Sequence, residues 1–356
     1  MTQATDAPRR SRKAPSSKSR KKRVLASISL GLLVLLLIAG GTGWWAYNHL
    51  NGNIDSVDLD QAIGVDNRPK KVVAGAQNIL VLGSDSRAGA NGDLDQGDVS
   101  GARSDTTMLV HVPEGRAKAT AVSIPRDTLV TRPECKNEDG KTVPSQKRAM
   151  FNSIFPAAGA ACVVKTVEEM SGVRVDHFVV VDFAGFKGLV DALGGVTVKL
   201  DKPMTGAKGG LKLDVGEHRL NGTDSLKFVR TRHGYGDGSD LGRISLQQTF
   251  MMAMLKEIKN QDALGNPARL YKLADAGTQS LTTDRELASL TALADFAKSM
   301  KDVDPDTMET IMLPVAYDKV DPNRVVPAEP QVTQLWEALR NDQKVPASAK
   351  NSPAKG

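Results

Sequence analysis

The chain has 356 residues, 40% of them apolar, enough for one large domain or two small ones around a buried core. Its net charge of +6 would fit a nucleic-acid binder, but nine Lys or Arg residues crowd into Arg9–Arg23. Without them the protein is slightly acidic, so charge gives no general argument for a nucleic-acid partner.

Residues 1–23 are rich in Ser, Arg, Lys and Pro and are expected to be disordered, with nothing to bury against the entropy of ordering. Val24–Tyr47 carries no charge and ends in Trp44, Trp45 and Tyr47. At about 1.5 Å per residue it would cross an ~30 Å hydrocarbon core with some tilt, as one transmembrane helix with an aromatic far end. The basic flank places the N-terminus in the cytoplasm and everything after Asn48 outside the cell membrane. A cleaved signal peptide is the alternative, with Ala39–Gly41 as its cleavage site, although such apolar regions usually run ~7–15 residues. Residues 48–74 are polar and weakly periodic, and read as an extracytoplasmic stalk.

From residue 75 short β-branched runs alternate with longer amphipathic ones, the pattern of an α/β domain. Strands are expected at Asn78–Leu82, Thr106–Val112, Thr120–Ile124, His177–Val181, Val196–Leu200 and Leu226–Arg232. Helices are expected at Val163–Met170, at Phe183–Leu193 with a stop at Gly194–Gly195, and at Leu241–Lys259. This core ends near residue 260. Residues 261–341 read as a mostly helical completion of the same domain, with a capping box at Thr283 and Glu286, a strand at Thr310–Leu313 and a helix at Val332–Arg340. Residues 342–356 are expected to be a disordered tail. Cys135 and Cys162 are the only cysteines. Outside the membrane they are expected to pair, the alternative being two separate thiols.

Polar clusters sit at the ends of several apolar runs, where loops on a rigid sheet carry function. Asp85 follows one strand and Asp105 opens another. If the strands are neighbours, the two carboxylates meet, and a cation such as Mg²⁺ relieves their repulsion. Each can instead be a turn-capping Asp. Arg126 follows a third strand. Arg230 and Arg232 lie two apart on an expected strand and so on one face, while Arg243 and Gln247 share a helix face that Phe250 and Met254 continue. Carboxylates with several arginines describe diphosphate chemistry, in which positioning and charge neutralisation do most of the work. The plain alternative for the helix is a core-facing stripe. No Gly-x-x-x-x-Gly-Lys-Ser or Gly-x-x-x-x-Gly-Lys-Thr phosphate loop and no Gly-x-Ser-x-Gly elbow occurs, and the five histidines, His49, His111, His177, His218 and His233, lack metal-ligand spacing. Asp93, Asp95 and Asp98 begin like a calcium loop, but Gly97 is one place early and no Glu closes it.

The order of these motifs resembles the LytR-CpsA-Psr family. The match runs through Asn78–Arg87, Arg103–Thr106, Ser123–Asp127, Val175–Phe178, Asp191–Val196, Arg230–His233 and Asp240–Ile244. The resemblance implies an α/β/α sandwich with a central mixed sheet, preceded by one transmembrane helix. It implies a Mg²⁺-dependent phosphotransferase that moves a polyprenyl-diphosphate-linked glycopolymer (teichoic acid, arabinogalactan or capsule type) onto peptidoglycan and releases polyprenyl phosphate. By motif position Asp85 and Asp105 would take the metal. Arg103, Arg126, Arg230, Arg232, Arg243 and Gln247 would hold the diphosphate, and Phe250 and Met254 would line the lipid site. The chain departs from the family at Met150, where Lys is common and Lys147 or Arg148 would have to compensate, and at Leu246, where Arg is common. A non-catalytic envelope protein that binds polyprenyl phosphates, or a polyprenyl-diphosphate hydrolase, is the competing reading.

Overall fold

The computed structural model describes residues 17–84, 104–116, 118–137, 139–206, 210–231, 235, 240–260, 267–279 and 281–355. The chain divides into two units, residues 1–49 and 50–356. The first carries most of helix α1 (Ser17–Gly52), which begins inside the stretch expected to be disordered. From Leu30 to Trp45 its large apolar side chains, among them Leu33, Leu35, Leu37 and Trp44, are exposed. By length and composition Leu30–Gly52 is a helix able to cross a membrane.

The second unit is built on a seven-stranded sheet. Its strands are β1 (Asp55–Val57), β2 (Gln77–Ser84), β3 (Ser104–Val112), β4 (Thr120–Ile124), β5 (His177–Asp182), β6 (Leu281–Asp284) and β7 (Glu309–Met312). They lie in the order β1-β6-β5-β2-β3-β4-β7. The pairs β1/β6, β5/β2 and β4/β7 are parallel and the others antiparallel, so the sheet is mixed. Residues alternate across it, as the period of a strand requires. Leu80, Leu82, Leu109, Val122 and Phe178 join the main core with helices α3 (Ile154–Ser171) and α9 (Gln331–Arg340), through Val163, Val164, Val167, Leu335 and Trp336. Ile79, Val81, Val110 and Val112 face the other way, against Phe296 and Met300 at the end of α8 (Leu290–Ser299). The result is the expected three-layer α/β/α arrangement.

A second core gathers α4 (Phe183–Ala192), the hairpin Val196–Leu200/Gly216–Leu220, α5 (Gly222–Arg230) and α6 (Asp240–Asn260) around Val190, Val198, Phe228, Leu246 and Phe250. Helix α4 stops where expected, since Gly194 and Gly195 take φ of 75° and 102°. The disulfide is formed: Cys135 and Cys162 join the hairpin Cys135–Lys136/Thr142–Val143 to α3, with Cα atoms 5.7 Å apart.

Several expectations are corrected. Residues 226–230 are helix, not strand. Asn221 caps α5 by accepting the Asp224 N–H, and the buried Leu226 and Phe228, two apart, mimic a strand although Ser225, Leu226 and Val229 form a helical stripe. Arg230 therefore ends a helix, and its pairing with Arg232 on one strand face does not hold; Arg232 lies outside the described residues. Thr283 does not open a capping box, because it sits in β6 and donates to the Phe178 carbonyl; Asp284 caps the short turn Arg285–Leu287, and Ser289 caps α8.

Residues 48–74, expected as a stalk, supply edge strand β1 and helix α2 (Leu59–Ile63), with Leu59 and Ile63 in the main core. Residues 261–341 supply two strands of the central sheet as well as helices. The segment 342–355 is also packed rather than disordered, with Val345, Ala349 and Ala354 in the main core.

Candidate functional site

The strand order brings four chain ends to one edge of the sheet. Ser84, the last residue of β2, pairs with Asp182 at the end of β5 on one side and with Ser104 at the start of β3 on the other. Ile124 at the end of β4 pairs with Thr107, level with Leu82. Arg126, two residues on, thus reaches the level of Ser84. At ~4.8 Å between strands, the β4 and β5 ends stand ~14 Å apart, within the combined reach of two long side chains and a bound diphosphate. Ligands of open α/β sheets bind outside such carboxyl ends.

The register holds a further detail. Gly83 pairs with Thr106 and Ser84 with Ser104, which leaves Asp105 as the extra residue of a β-bulge. A bulge ends regular pairing and re-aims the chain, and bulges are common beside active sites. Asp85 and Arg103 lie outside the described residues, as does His233; of Asp105 the backbone position is described.

Arg126 sits on a turn whose backbone is pinned on several sides. The Pro125 carbonyl accepts the Thr128 N–H at 3.0 Å, the Arg126 carbonyl accepts the Asn152 N–H at 3.0 Å, and the Thr128 carbonyl accepts the Phe151 N–H at 2.9 Å. Its guanidinium Nε donates to Asp127 Oδ2 at 3.3 Å, and Asp127 Oδ1 accepts from Arg324 Nη1 at 3.0 Å.

Arg230 reaches the same edge from the end of α5. Its guanidinium carbon lies 4.9 Å from the ring centroid of Phe183, the residue after Asp182. Such a contact holds a cation without consuming its hydrogen-bond donors.

Helix α6 ties the two arginine-bearing segments together. Gln247 Nε2 donates to the Val229 carbonyl at 3.3 Å, next to Arg230, and Gln248 Nε2 donates to Ser123 Oγ at 3.0 Å, three residues before Arg126. One turn earlier Arg243 is 4% exposed. Sequence reading chose Gln247 and missed Gln248, because neither residue of a Gln pair carries a signal for what it will touch.

Phe250 is 2% exposed, with the rings of Phe186 and Phe228 at 5.2 and 6.1 Å, and Met254 packs half-buried against the same cluster. Both thus belong to the second core. Arg148 does not stand in for the missing Lys. It is held in an ion pair with Asp318 at 2.7 Å, and the Arg148 guanidinium, with the Asp321 and Val320 N–H groups, holds the Asp318 carboxyl down at about 2.

A separate group, His177, Asp284 and Glu286, is close enough to share a cation. It lies at the other end of β5, five residues and ~16 Å from Asp182. Asp284 there is already engaged, accepting the N–H groups of Phe178, Glu286 and Leu287 and facing His177 Nδ1 at 3.2 Å. Burial disfavours the charged imidazole, but the hydrogen bond and charge of Asp284 outweigh it and raise the His177 pKa.

The profile of the LytR_cpsA_psr family matches residues 46–341. The chain belongs to the LytR-CpsA-Psr family. Among its relatives, the cell wall biosynthesis protein LcpA of Corynebacterium glutamicum is 32% identical over 293 residues, covering 76% of this chain and 56% of LcpA. The polyisoprenyl-teichoic acid–peptidoglycan teichoic acid transferase TagT of Bacillus subtilis is 31% identical over 298 residues, covering 81% of this chain and 86% of TagT. This LytR-CpsA-Psr chain spans 56% and 61% of the lengths of the two corynebacterial relatives LcpA and LcpB. Among solved structures, TagT bound to LI-WTA superposes with a TM-score of 0.60 at 25% identity, covering 80% of this chain and 98% of TagT. The LytR-Csp2A-Psr enzyme from Actinomyces oris does so with 0.58 at 24% identity, over 80% and 95%. These likenesses agree with the mixed sheet and its helical layers.

Proposed function

We propose that the chain is a glycopolymer–peptidoglycan phosphotransferase, with the sheet edge at Ser84, Asp105, Arg126 and Arg230 as its diphosphate site. The observation that carries this reading is the convergence of Asp105 at its bulge, Arg126 on its pinned turn and Arg230 over Phe183. A diphosphate demands fixed cationic donors more than a covalent nucleophile. Guanidinium groups supply them because their planar fork bonds phosphate oxygens in pairs.

The donor substrate is a polyprenyl-diphosphate-linked glycopolymer and the acceptor a peptidoglycan hydroxyl. The acceptor oxygen attacks the phosphorus nearer the sugar and a new P–O bond forms. The P–O bond of the anhydride breaks, polyprenyl phosphate leaves with the bridging oxygen, and the acceptor proton passes to a base. Arg126 and Arg230 hold the two phosphates in line and offset the charge that grows on the leaving oxygen. Arg243 and Gln247 brace this arrangement from α6, and Arg103 and Arg232 complete the cationic set by motif position.

Asp85 and Asp105 would hold Mg²⁺. The fit rests on the donor set and on placement: the bulge at Asp105 lies opposite Ser84, the residue before Asp85, and two carboxylates completed by phosphate oxygens suit a hard cation. When bound, the ion neutralises phosphate charge. Helix α1 anchors the protein in the cell membrane with its basic end in the cytoplasm and the catalytic unit outside; Phe250 and Met254, packed in the second core, would back the lipid site rather than line it.

The test is transfer by purified full-length protein from a synthetic lipid-linked glycan to peptidoglycan fragments. Arg126→Ala and Arg230→Ala should each lower turnover by about 10²–10³-fold, the usual cost of removing a charge-stabilising donor, with circular dichroism unchanged. Near-normal turnover in both variants defeats the assignment.

A further inference from the structure

The carboxyl-terminal part of the chain, where the sequence shows no chemistry, delivers Arg324 to the turn that carries Arg126. Asp127 stands between the two guanidinium groups, with Oδ2 3.3 Å from Arg126 Nε and Oδ1 3.0 Å from Arg324 Nη1. Arg324 is itself fixed. Its N–H donates to the Asp321 carbonyl at 2.9 Å, and its carbonyl accepts the Asp318 N–H at 2.9 Å. Asp318 in turn accepts the N–H groups of Val320 and Asp321 and is clamped by Arg148. The next residue, Val325, bridges to Thr128 and donates its N–H to the Asp127 carbonyl at 3.4 Å. Two turns remote in sequence are thus stitched together by backbone and side chain around one carboxylate.

The arrangement has an electrostatic consequence. A carboxylate adjacent to a phosphate-binding arginine competes with the phosphate for it. When a second guanidinium takes one of its oxygens, the carboxylate cannot rotate to chelate Arg126, and its charge is shared. We propose that Arg324 is a positioning residue, acting through Asp127 to hold the Arg126 guanidinium in the orientation that meets the diphosphate. This rests on the phosphotransferase reading for its kinetic consequences and on geometry alone for the placement of Arg126.

The experiment compares full-length wild type with Arg324→Ala, Arg324→Gln and Arg324→Lys in the lipid-linked transfer assay. Misplacing a reacting group by a fraction of its reach costs up to ~10²-fold. The expected result is a 10- to 100-fold fall in kcat for Arg324→Ala and Arg324→Gln, with KM changed less than threefold. Arg324→Lys should recover most of the loss, since an ammonium still holds Asp127. In an Arg126→Lys background, where no Nε is in place to be held, Arg324→Ala should cost less than threefold more. Should Arg324→Ala fold poorly, Arg324→Gln carries the same comparison. Wild-type kcat in both neutral variants, or a full multiplicative loss in the Arg126→Lys background, overturns the proposal.

A second readout needs no turnover. In protein labelled with ¹⁵N-arginine, the Arg126 Nε–H should exchange with solvent about tenfold faster in Arg324→Ala and unchanged in Arg285→Ala, which breaks a remote pair with Asp58. An unchanged Arg126 rate in Arg324→Ala overturns the positioning role. A wild type with no transfer, or an Arg126→Ala that turns over normally, defeats the phosphotransferase reading instead, and the exchange result still decides the placement.

Discussion

Arg68→Met tests how firmly the segment after the membrane helix belongs to the domain. Arg68 is 8% exposed and Glu168, on α3, 1% exposed. The guanidinium donates to both Glu168 oxygens, at 2.9 and 3.2 Å, and also to Asp60 at 2.8 Å and to the Val175 carbonyl at 2.6 Å. Burial opposes its charge, but the Glu168 and Asp60 carboxylates outweigh that and raise its pKa. Removing one partner of such a pair leaves an uncompensated buried charge, at a cost of about 3–5 kcal/mol. With an unfolding entropy of ~2.1 cal/mol/K per residue, a unit of ~300 residues loses about 5–8 °C in Tm. Thermal melts of full-length protein followed by circular dichroism at pH 8 measure the loss. A Tm within 2 °C of wild type at pH 8 would refute the reasoning and return residues 48–74 to the status of a stalk.

Other outcomes follow from single contacts. The raised His177 pKa means that its pair with Asp284 contributes stability fully below ~6.5 and loses it as pH rises through the folded value, so the Tm advantage of wild type over His177→Phe should shrink between pH 6 and pH 8.5. Reducing Cys135–Cys162, or Cys135→Ser with Cys162→Ser, reopens a loop of 27 residues and should cost about 3 kcal/mol, read as a lower denaturant midpoint. Phe183→Leu removes the ring under Arg230; at ~0.5–1 kcal/mol for an exposed cation–π contact, KM for the lipid-linked donor should rise about two- to fivefold with the melt nearly unchanged.

What the sequence made legible was local. Six of the seven expected strands and the helices α3, α4, α6 and α9 were readable because each carries its own period and stop signals. Arg126 and Asp105 stood out as candidates because they sit at strand ends. Arg230 was placed on the wrong kind of element, since two buried residues two apart look alike in a strand and in a short amphipathic helix until the Asn221 cap is seen. The domain's first and last segments were misread for another reason. Arg68 finds Glu168 one hundred positions later, and 342–355 contributes only Val345, Ala349 and Ala354 to the main core, so neither has a local pattern to betray its burial. The level at which Ser84, Asp105 and the Arg126 turn stand depends on strand order, which no single segment encodes, and Arg324 meets that turn at Asp127.

The most direct test of the central claim is a product balance. Full-length wild type is given a polyprenyl-diphosphate-linked glycopolymer, peptidoglycan fragments and Mg²⁺, and released polyprenyl phosphate and polymer-bearing peptidoglycan are counted by mass spectrometry. One polyprenyl phosphate for each polymer attached, with both lost in EDTA, is the predicted result. Lipid bound but never cleaved, or cleaved with the polymer phosphate passing only to water, would contradict it.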